Sequence, residues 1–344
     1  MVLNEKMIKP WNPGKAPFLI LIALILGVLL SGCGGRDRAQ EGTVSLKWKV
    51  KKGDTHNLFI STRRVATITI RDKEESVFQS LNILYHFLVE DISRNSDVRT
   101  RITLEGVSAE EKSLLGEFLY HSDNPPEENS AELGRFAALA GKSFALTASP
   151  KWEVIKVEGL EEIEESIRNT EPAKHEMGDT NLSLILSDDA SANAVLETLE
   201  LVFSVFPGRV VNTGGSWNRE LTSAAHFPCI VRSLYTLEKT EKGEALLSIL
   251  KTISPNTEDP DVLIFGMRAY VNGSGRGALR LDAATGWPLK GAIWEKVEGS
   301  LKSPLLSVVS ESNEGGFPIS METKIIFQSP EYKPKEDLGG ESNE

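Results

Sequence analysis

The sequence predicts an α+β fold: predominantly antiparallel, curved β-sheet with a few helices packed on it. Three observations lead there. Short runs of alternating apolar and polar residues, the period of a half-buried strand, recur along most of the chain. Helical spacing is confined to three segments, and few strands alternate with helices as βαβ units. The 344 residues are 40% hydrophobic and 25% charged, the balance of a folded protein with chain enough for one large domain or two lobes.

Val44 to Val50 alternates strictly and predicts the first strand. Lys52-Gly53-Asp54 turns it into a second, Asn57 to Ile70, rich in β-branched residues. Val77 to Ile92 is apolar at nearly every position, as a strand covered on both sides or curving over a core would be. Arg99 to Leu104 alternates again, and Phe144–Ala148 with Trp152–Val157 predicts a hairpin. Between them, Ser108 and Glu111 form a capping box ahead of Leu114, Leu115 and Phe118 at helical spacing, so Glu110 to Tyr120 is open between helix and strand. Ser130 caps a short helix ending at Gly141, a residue suited to the left-handed position after a helix. Leu160, Ile163 and Ile167 set a second helical stripe, with Glu161, Glu162, Glu164 and Glu165 as a solvated face near the helix start. The strongest helix runs from Ser191 to Phe206, with apolar residues at three- and four-residue steps until Pro207-Gly208 stops it. At least six more strands follow Trp217. Among them, Gly273-Ser274-Gly275-Arg276-Gly277 reads as a hairpin turn. A strand pattern, not a helix that could meet a pyrophosphate, comes after it.

The amino-terminal segment has the parts of an export signal. Lys6, Lys9 and Lys15 precede a thirteen-residue apolar run, Phe18 to Leu30. At 1.5 Å per residue the run spans roughly 20 Å, short of the ~30 Å hydrocarbon core. Leu30-Ser31-Gly32-Cys33 then resembles the lipobox of bacterial lipoproteins. That resemblance implies cleavage between Gly32 and Cys33, a diacylglycerol on the Cys33 thiol and acylation of the new amino group. Two or more acyl chains hold a protein stably at a bilayer. Gly34, standing where Asp often marks inner-membrane retention, implies the outer membrane. The chain thus divides into a signal peptide at 1–32, a lipidated cysteine and tether at 33–42, a β-rich globular region at 43–328 and a disordered tail at 329–344.

Removal of residues 1–32, which hold three Lys and one Glu, takes the formal charge from −11 to −13. A surface that acidic excludes nucleic acid as a partner and avoids anionic head groups, leaving the anchor to make the membrane contact. Motifs of chemistry fail on inspection. Gly141-Lys142-Ser143 has Phe136 where a phosphate loop needs glycine. Ser122-Asp123-Asn124 and Ser248-Ile249-Leu250-Lys251 match two boxes of the penicillin-recognising serine enzymes. They stand in inverted order, without the third box, and Leu246 to Ile253 reads as a strand. His56, His86, His121, His175 and His226 lack the pairwise spacing of a zinc site. No catalytic residue, metal or cofactor is therefore expected. Cys229, left without a partner once Cys33 is lipidated, reads as a buried structural thiol.

Several segments, in order, resemble an uncharacterised family of bacterial lipoproteins known only as a domain of unknown function. They include Leu46–Asp54, Tyr120–Pro126, Gly141–Phe144, Trp152–Gly159, Gly215-Ser216-Trp217 and Gly275–Pro288. Gly215 replaces an Asp frequent in that family, and Trp152 stands where its hairpin often has glycine. The resemblance implies a β-rich envelope domain without known catalytic residues, and it favours a strand at Phe118–His121. Gly53-Asp54 and Asp282–Gly286 are turn chemistry. Trp217 and Trp287 are expected to plug the sheet's rims, with ligand stacking as the other role for these indoles.

The leading expectation is a non-enzymatic, lipid-anchored cell-envelope protein with a binding or structural role. Its partners would be the membrane through its anchor, and a hydrophobic ligand or another envelope protein. A carrier holding a hydrophobic ligand against the curved sheet is the first alternative. An envelope-polymer hydrolase with a carboxylate pair assembled in space is the second. Cys33→Ser is expected to abolish palmitate incorporation and to release the protein from the membrane fraction on cell fractionation.

Overall fold

The structure, a computed structural model, describes residues 43–70, 73–113, 116–126, 131–170, 191–223, 227–256, 268–302 and 316–332. All lie within one compact unit that runs from Gly42 to Glu344. The expected signal peptide at 1–32, its cleavage site at Gly32 and Cys33, and the expected tether at 33–42 fall outside the described residues.

Two antiparallel meanders join side by side. The first comprises β2 (Thr55–Ile70), β3 (Lys73–Ile92) and β4 (Val98–Ser113). One half of β4 pairs with β5 (Gly116–His121) and the other with β6 (Ser143–Ala148), and β7 (Val154–Glu158) closes that edge. The second runs from the edge strand β9 (Ser216–Ser223) through β10 (Cys229–Glu241), β11 (Glu244–Pro255), β12 (Arg268–Asp282) and β13 (Pro288–Lys302) to β14 (Phe317–Gln328). β14 pairs with β2, so the sheet is continuous. A separate two-stranded pair joins β1 (Thr43–Val44) to β8 (Val211–Asn212). The helices are α1 (Ala131–Ala137), α2 (Leu160–Arg168) and α3 (Ala192–Phe203).

This corrects the α+β expectation. About 63% of the described residues are in strands, and the helices have only seven, nine and twelve residues. Two segments account for the shift. Residues 108–113 extend β4, because Val107, Ala109 and Glu111 alternate inward and no helical face would bury them together. Gly273–Gly277, expected as a turn, is the middle of β12. Its three glycines lie opposite inward Val297, Glu295 and Ile293 of β13. A Cβ on Gly277 would stand 2.6 Å from the Ala292 carbonyl oxygen and 3.1 Å from Ile293 Cα. The sheet bends too tightly there for any side chain on the inner face.

The two free edges of the sheet approach each other at one contact. Arg219 of β9 donates to Glu153, one residue before β7, at 3.4 Å. The result is an unclosed barrel, its exposed edges blunted by short strands and charge. α3 fills one end of the interior. Ser191 caps it, accepting from the Ala194 N–H at 3.0 Å. Glu164 of α2 accepts from the Ala192 N–H at 2.9 Å, placing an acid at the positive end of the helix. Phe203 stacks on Trp152 at 4.2 Å between ring centroids and meets Trp287 at 5.4 Å and Phe87 at 5.6 Å. Trp152 has φ 60°, a left-handed conformation. The frequent glycine of the resembling family would adopt it freely, whereas here close ring packing holds the indole in it.

Val44 to Val50 is not a strand beyond Val44. Leu46 and Trp48 are nevertheless buried in alternation, and the Trp48 and Lys49 N–H groups donate to Pro150 and Thr285. Beyond β14, Glu331 accepts from Asn57 at 3.0 Å and Tyr332 donates to Glu244 at 3.3 Å. The first residues of the expected tail therefore pack on the domain. Gly277→Val is expected to cost about 1–3 kcal/mol through overpacking. Gly106→Ala, whose Cβ would meet only Leu84 Cβ at 3.6 Å, should leave the thermal midpoint nearly unchanged.

Candidate functional site

Strand alternation decides which side chains the curled sheet encloses. On β2 these are Leu58, Ile60, Thr62, Arg64, Ala66 and Ile68. Arg64 is therefore an inward charge between Thr62 and Ala66. Strand pairing repeats this at one level across the sheet. Glu111 of β4 pairs with Gln79 of β3, Gln79 with Arg64 and Arg64 with Thr323 of β14. Thr323 pairs with Glu295 of β13, Glu295 with Gly275 of β12 and Gly275 with Lys251 of β11. Ser233 of β10 and Arg219 of β9 complete the row.

The row is a polar belt across the inside of the barrel, and several of its members bond one another, although Gln79 Oε1 and Arg219 Nε are buried without a hydrogen-bond partner among the described residues. Lys251 Nζ donates to Glu295 at 2.6 Å, with the lysine side chain fully buried. Gln79 donates to Glu111 at 3.0 Å, and Arg135 of α1 reaches the same carboxylate at 2.5 Å. Arg64 Nε donates to Thr323 Oγ1 at 3.5 Å. The belt divides the interior into two apolar clusters. The larger holds the aromatic group around Phe203. The smaller gathers Ala66, Ile68, Val77 and their neighbours on β10 to β14.

Where the belt, the smaller cluster and α3 meet, a cavity of about 80 Å³ remains. Its apolar wall includes Leu201, Val231, Val271, Val297 and Met321. α3 turns Glu197 and Glu200 toward it, while Val195, Leu199 and Val202 on its other side join the larger cluster. Glu197 accepts from Ser223 at 2.7 Å. Burial, and then the charge of Glu197, raises the Glu200 pKa above the ordinary carboxyl value. Cys229 also lines the cavity, and burial pushes its thiol up to about 11. At neutral pH it is protonated and a poor nucleophile. A second, open cleft of about 360 Å³ lies at the barrel's seam, beside Trp152, Glu153, Arg219 and Glu200.

The expected stacking residues lie elsewhere. Trp287 is buried, stacked on His56 at 4.3 Å and edge-on to Phe87 at 5.1 Å. Trp217 is buried against Tyr235, its indole N–H donating to the Val205 carbonyl at 3.0 Å. Neither lines the cavity. Among the described residues no cluster of three His, Cys, Asp or Glu side chains could hold a metal ion. Sequence reasoning missed the belt. Its visible trace was a charged or amide residue at an inward position of several strands, as at Arg64, Gln79 and Lys251.

Fold and cavity define an unclosed antiparallel β-barrel with an internal helix and a small apolar chamber. Residues 95–288 match the profile described as a family of unknown function (DUF6263). The match covers more than half of the chain, and the protein belongs to this family. No curated protein matches the sequence. A solved structure of lipid–protein interactions in lipovitellin is similar over 85% of this chain and 26% of that one, at 8% identity and a TM-score of 0.47. The chain thus spans about a quarter of that protein's length. A DUF1329 family protein from Desulfovibrio piger ATCC 29098 aligns over 80% of this chain and 87% of its own, at 8% identity and a TM-score of 0.14.

Two stability measurements probe the site. Lys251→Met is expected to cost about 3–5 kcal/mol by stranding the Glu295 charge, and adding Glu295→Leu should recover most of it. The folded protein holds the Glu200 proton more tightly than the unfolded chain does. That stabilisation is full below 4.5, the ordinary value, and is lost as pH rises through the raised folded value. Glu200→Gln should therefore be the more stable form at neutral pH and show a flatter decline above pH 4.5.

Proposed function

We propose that the protein is a lipid-anchored binding protein of the cell envelope, holding a hydrophobic ligand between α3 and the inner face of the sheet. The observation that carries this reading is the cavity itself: apolar walls beside a charged belt, inside a barrel whose seam is bridged by Arg219 and Glu153. A chain selected only for stability would fill such a space, because buried ion pairs give less than packed hydrocarbon. An apolar chamber with a polar margin suits a molecule having a hydrocarbon part and a polar end.

The chamber as it stands is smaller than the roughly 300–1,000 Å³ of ordinary ligand sites, so binding enlarges it. α3 is the element built to yield. Its outer end is locked by the rings around Phe203, while its cavity side mixes Glu197, Thr198 and Glu200 with Ala194 and Leu201. Rotation of the Glu197, Thr198 and Glu200 side chains opens space against Val297 and Met321 while the helix backbone stays in place. The anchor at Cys33 keeps this chamber at the membrane, where hydrophobic ligands are found. No step of this role requires a catalytic residue.

The test is lipid analysis of protein purified from envelopes, together with titration of a fluorescent fatty acid. Co-purifying lipid and saturable binding are expected. Val297→Trp, which fills the chamber, should weaken fatty-acid binding by about tenfold or more, on the order of 1.4 kcal/mol. Ile155→Ala, on the outer edge strand β7, should leave it unchanged. Absence of both lipid and saturable binding in the folded protein would remove the reading.

A further inference from the structure

The outer face of the sheet carries a second site, across the strands from the chamber, with Arg64, Glu295 and Thr323 lining both. One residue along from the belt, each strand points outward, and the outward residues also lie in register. Arg63 of β2 pairs with Lys324 of β14, Lys324 with Trp294 of β13, Trp294 with Arg276 of β12 and Arg276 with Leu250 of β11. Three strand spacings separate Arg63 from Arg276, roughly 14 Å. The row forms the floor of an open groove of about 790 Å³ on this face, with Val65 and Phe78 beside it.

Three features set the row apart. First, its cations are not neutralised. Among the described residues no carboxylate lies within ion-pair distance of Arg63, Arg276 or Lys324, whereas nearby Lys296 is engaged by Glu298 at 2.8 Å and by Glu322 at 3.8 Å. In a chain with net charge −11, acids are abundant enough to have paired them. Second, Trp294 is 40% exposed, while Trp48, Trp152, Trp217 and Trp287 are all buried. Lys324 Nζ stands 5.6 Å from its ring centroid, a cation held over an indole. Third, Leu250 is 61% exposed and Val65 45%, so apolar surface adjoins the charge.

Guanidinium and ammonium groups beside an open indole and exposed aliphatic side chains are the chemistry of a lipid–water interface. The cations meet phosphate, and the ring and aliphatic groups enter the level of the glycerol backbone. We infer that this row is a docking surface for an anionic bilayer, laying the outer face of the sheet against phosphate-bearing head groups. Net charge concealed it: Glu295 and Glu322 also line the groove, but its Arg and Lys side chains outnumber them, so the local balance is positive. The contact is made by the folded body itself, in addition to any anchor, and does not depend on whether the chamber takes a ligand. Each cation at an anionic surface contributes about a five-fold gain in partitioning, so the three together give on the order of a hundredfold.

The test uses the full chain reconstituted in vesicles of phosphatidylcholine, or of an equimolar mixture with phosphatidylglycerol, each carrying brominated phosphatidylcholine as quencher. The Trp294 signal is the difference in emission between the wild type and Trp294→Phe. Quenching of that signal is expected in the anionic vesicles and not in the neutral ones, and it should fall in high salt. The triple variant Arg63→Glu, Arg276→Glu, Lys324→Glu, with its thermal midpoint checked, should lose it. If that variant does not fold, Arg276→Gln alone should weaken the quenching, its partitioning falling about five-fold. Equal quenching in both vesicle types, no quenching in either, or quenching indifferent to these substitutions would overturn the assignment.

Discussion

The belt of Glu111, Gln79, Arg64, Thr323, Glu295 and Lys251 is the constraint on which the rest of the barrel depends. Each charge is inward and finds its partner on another strand or on α1. A slip of one residue in any strand would turn its member of the belt outward and drive a surface residue in. A slip of two would set an apolar side chain against an abandoned charge. Register across six strands is thereby fixed by electrostatics where hydrophobic alternation alone would admit alternatives. The belt also interrupts the apolar interior. α3 completes the cluster on one side and leaves space on the other.

One level of the sheet serves two purposes. Arg63 and Arg64, Lys324 and Thr323, Trp294 and Glu295, Arg276 and Gly275 are sequence neighbours that point to opposite faces. Inside, opposite charges compensate and line the margin of the chamber. Outside, cations and an indole stand open. The glycines of β12 matter to both faces, since their missing side chains leave room for the β13 backbone beside them.

Much of the architecture was legible in the sequence. The long strands β2 and β3, the β6–β7 hairpin and the helix capped by Ser191 follow directly from periodicity and capping residues. Turn chemistry at Asp282 is likewise local: its side chain accepts from the Ala284 and Thr285 N–H groups. What escaped was set by partners distant in sequence. Glycine at 273, 275 and 277 signals a turn when only its own segment is weighed. Inward residues of β13 make it a strand. Residues 108–113 satisfy helical and strand spacing equally until β3 lies alongside. No single-strand pattern tells that Lys251 and Glu295, separated by a strand and by more than forty residues, will meet. Trp217 and Trp287, expected first as plugs of the sheet's rims, are both buried against other rings, contacts that the sequence does not show.

The junction of β2 with β14 sets the order of assembly. It joins Ile68 to Ile319 and Phe59 to Gln328, residues at opposite ends of the folded region. The remaining pairings within each meander are mostly between successive strands and can form early, but this one requires nearly the whole chain to have been synthesised. Until then each half keeps an unpaired central strand and an incomplete belt, and the polypeptide remains threadable. Late closure of the last seam thus leaves the two halves free to find their own registers before either is committed to the other.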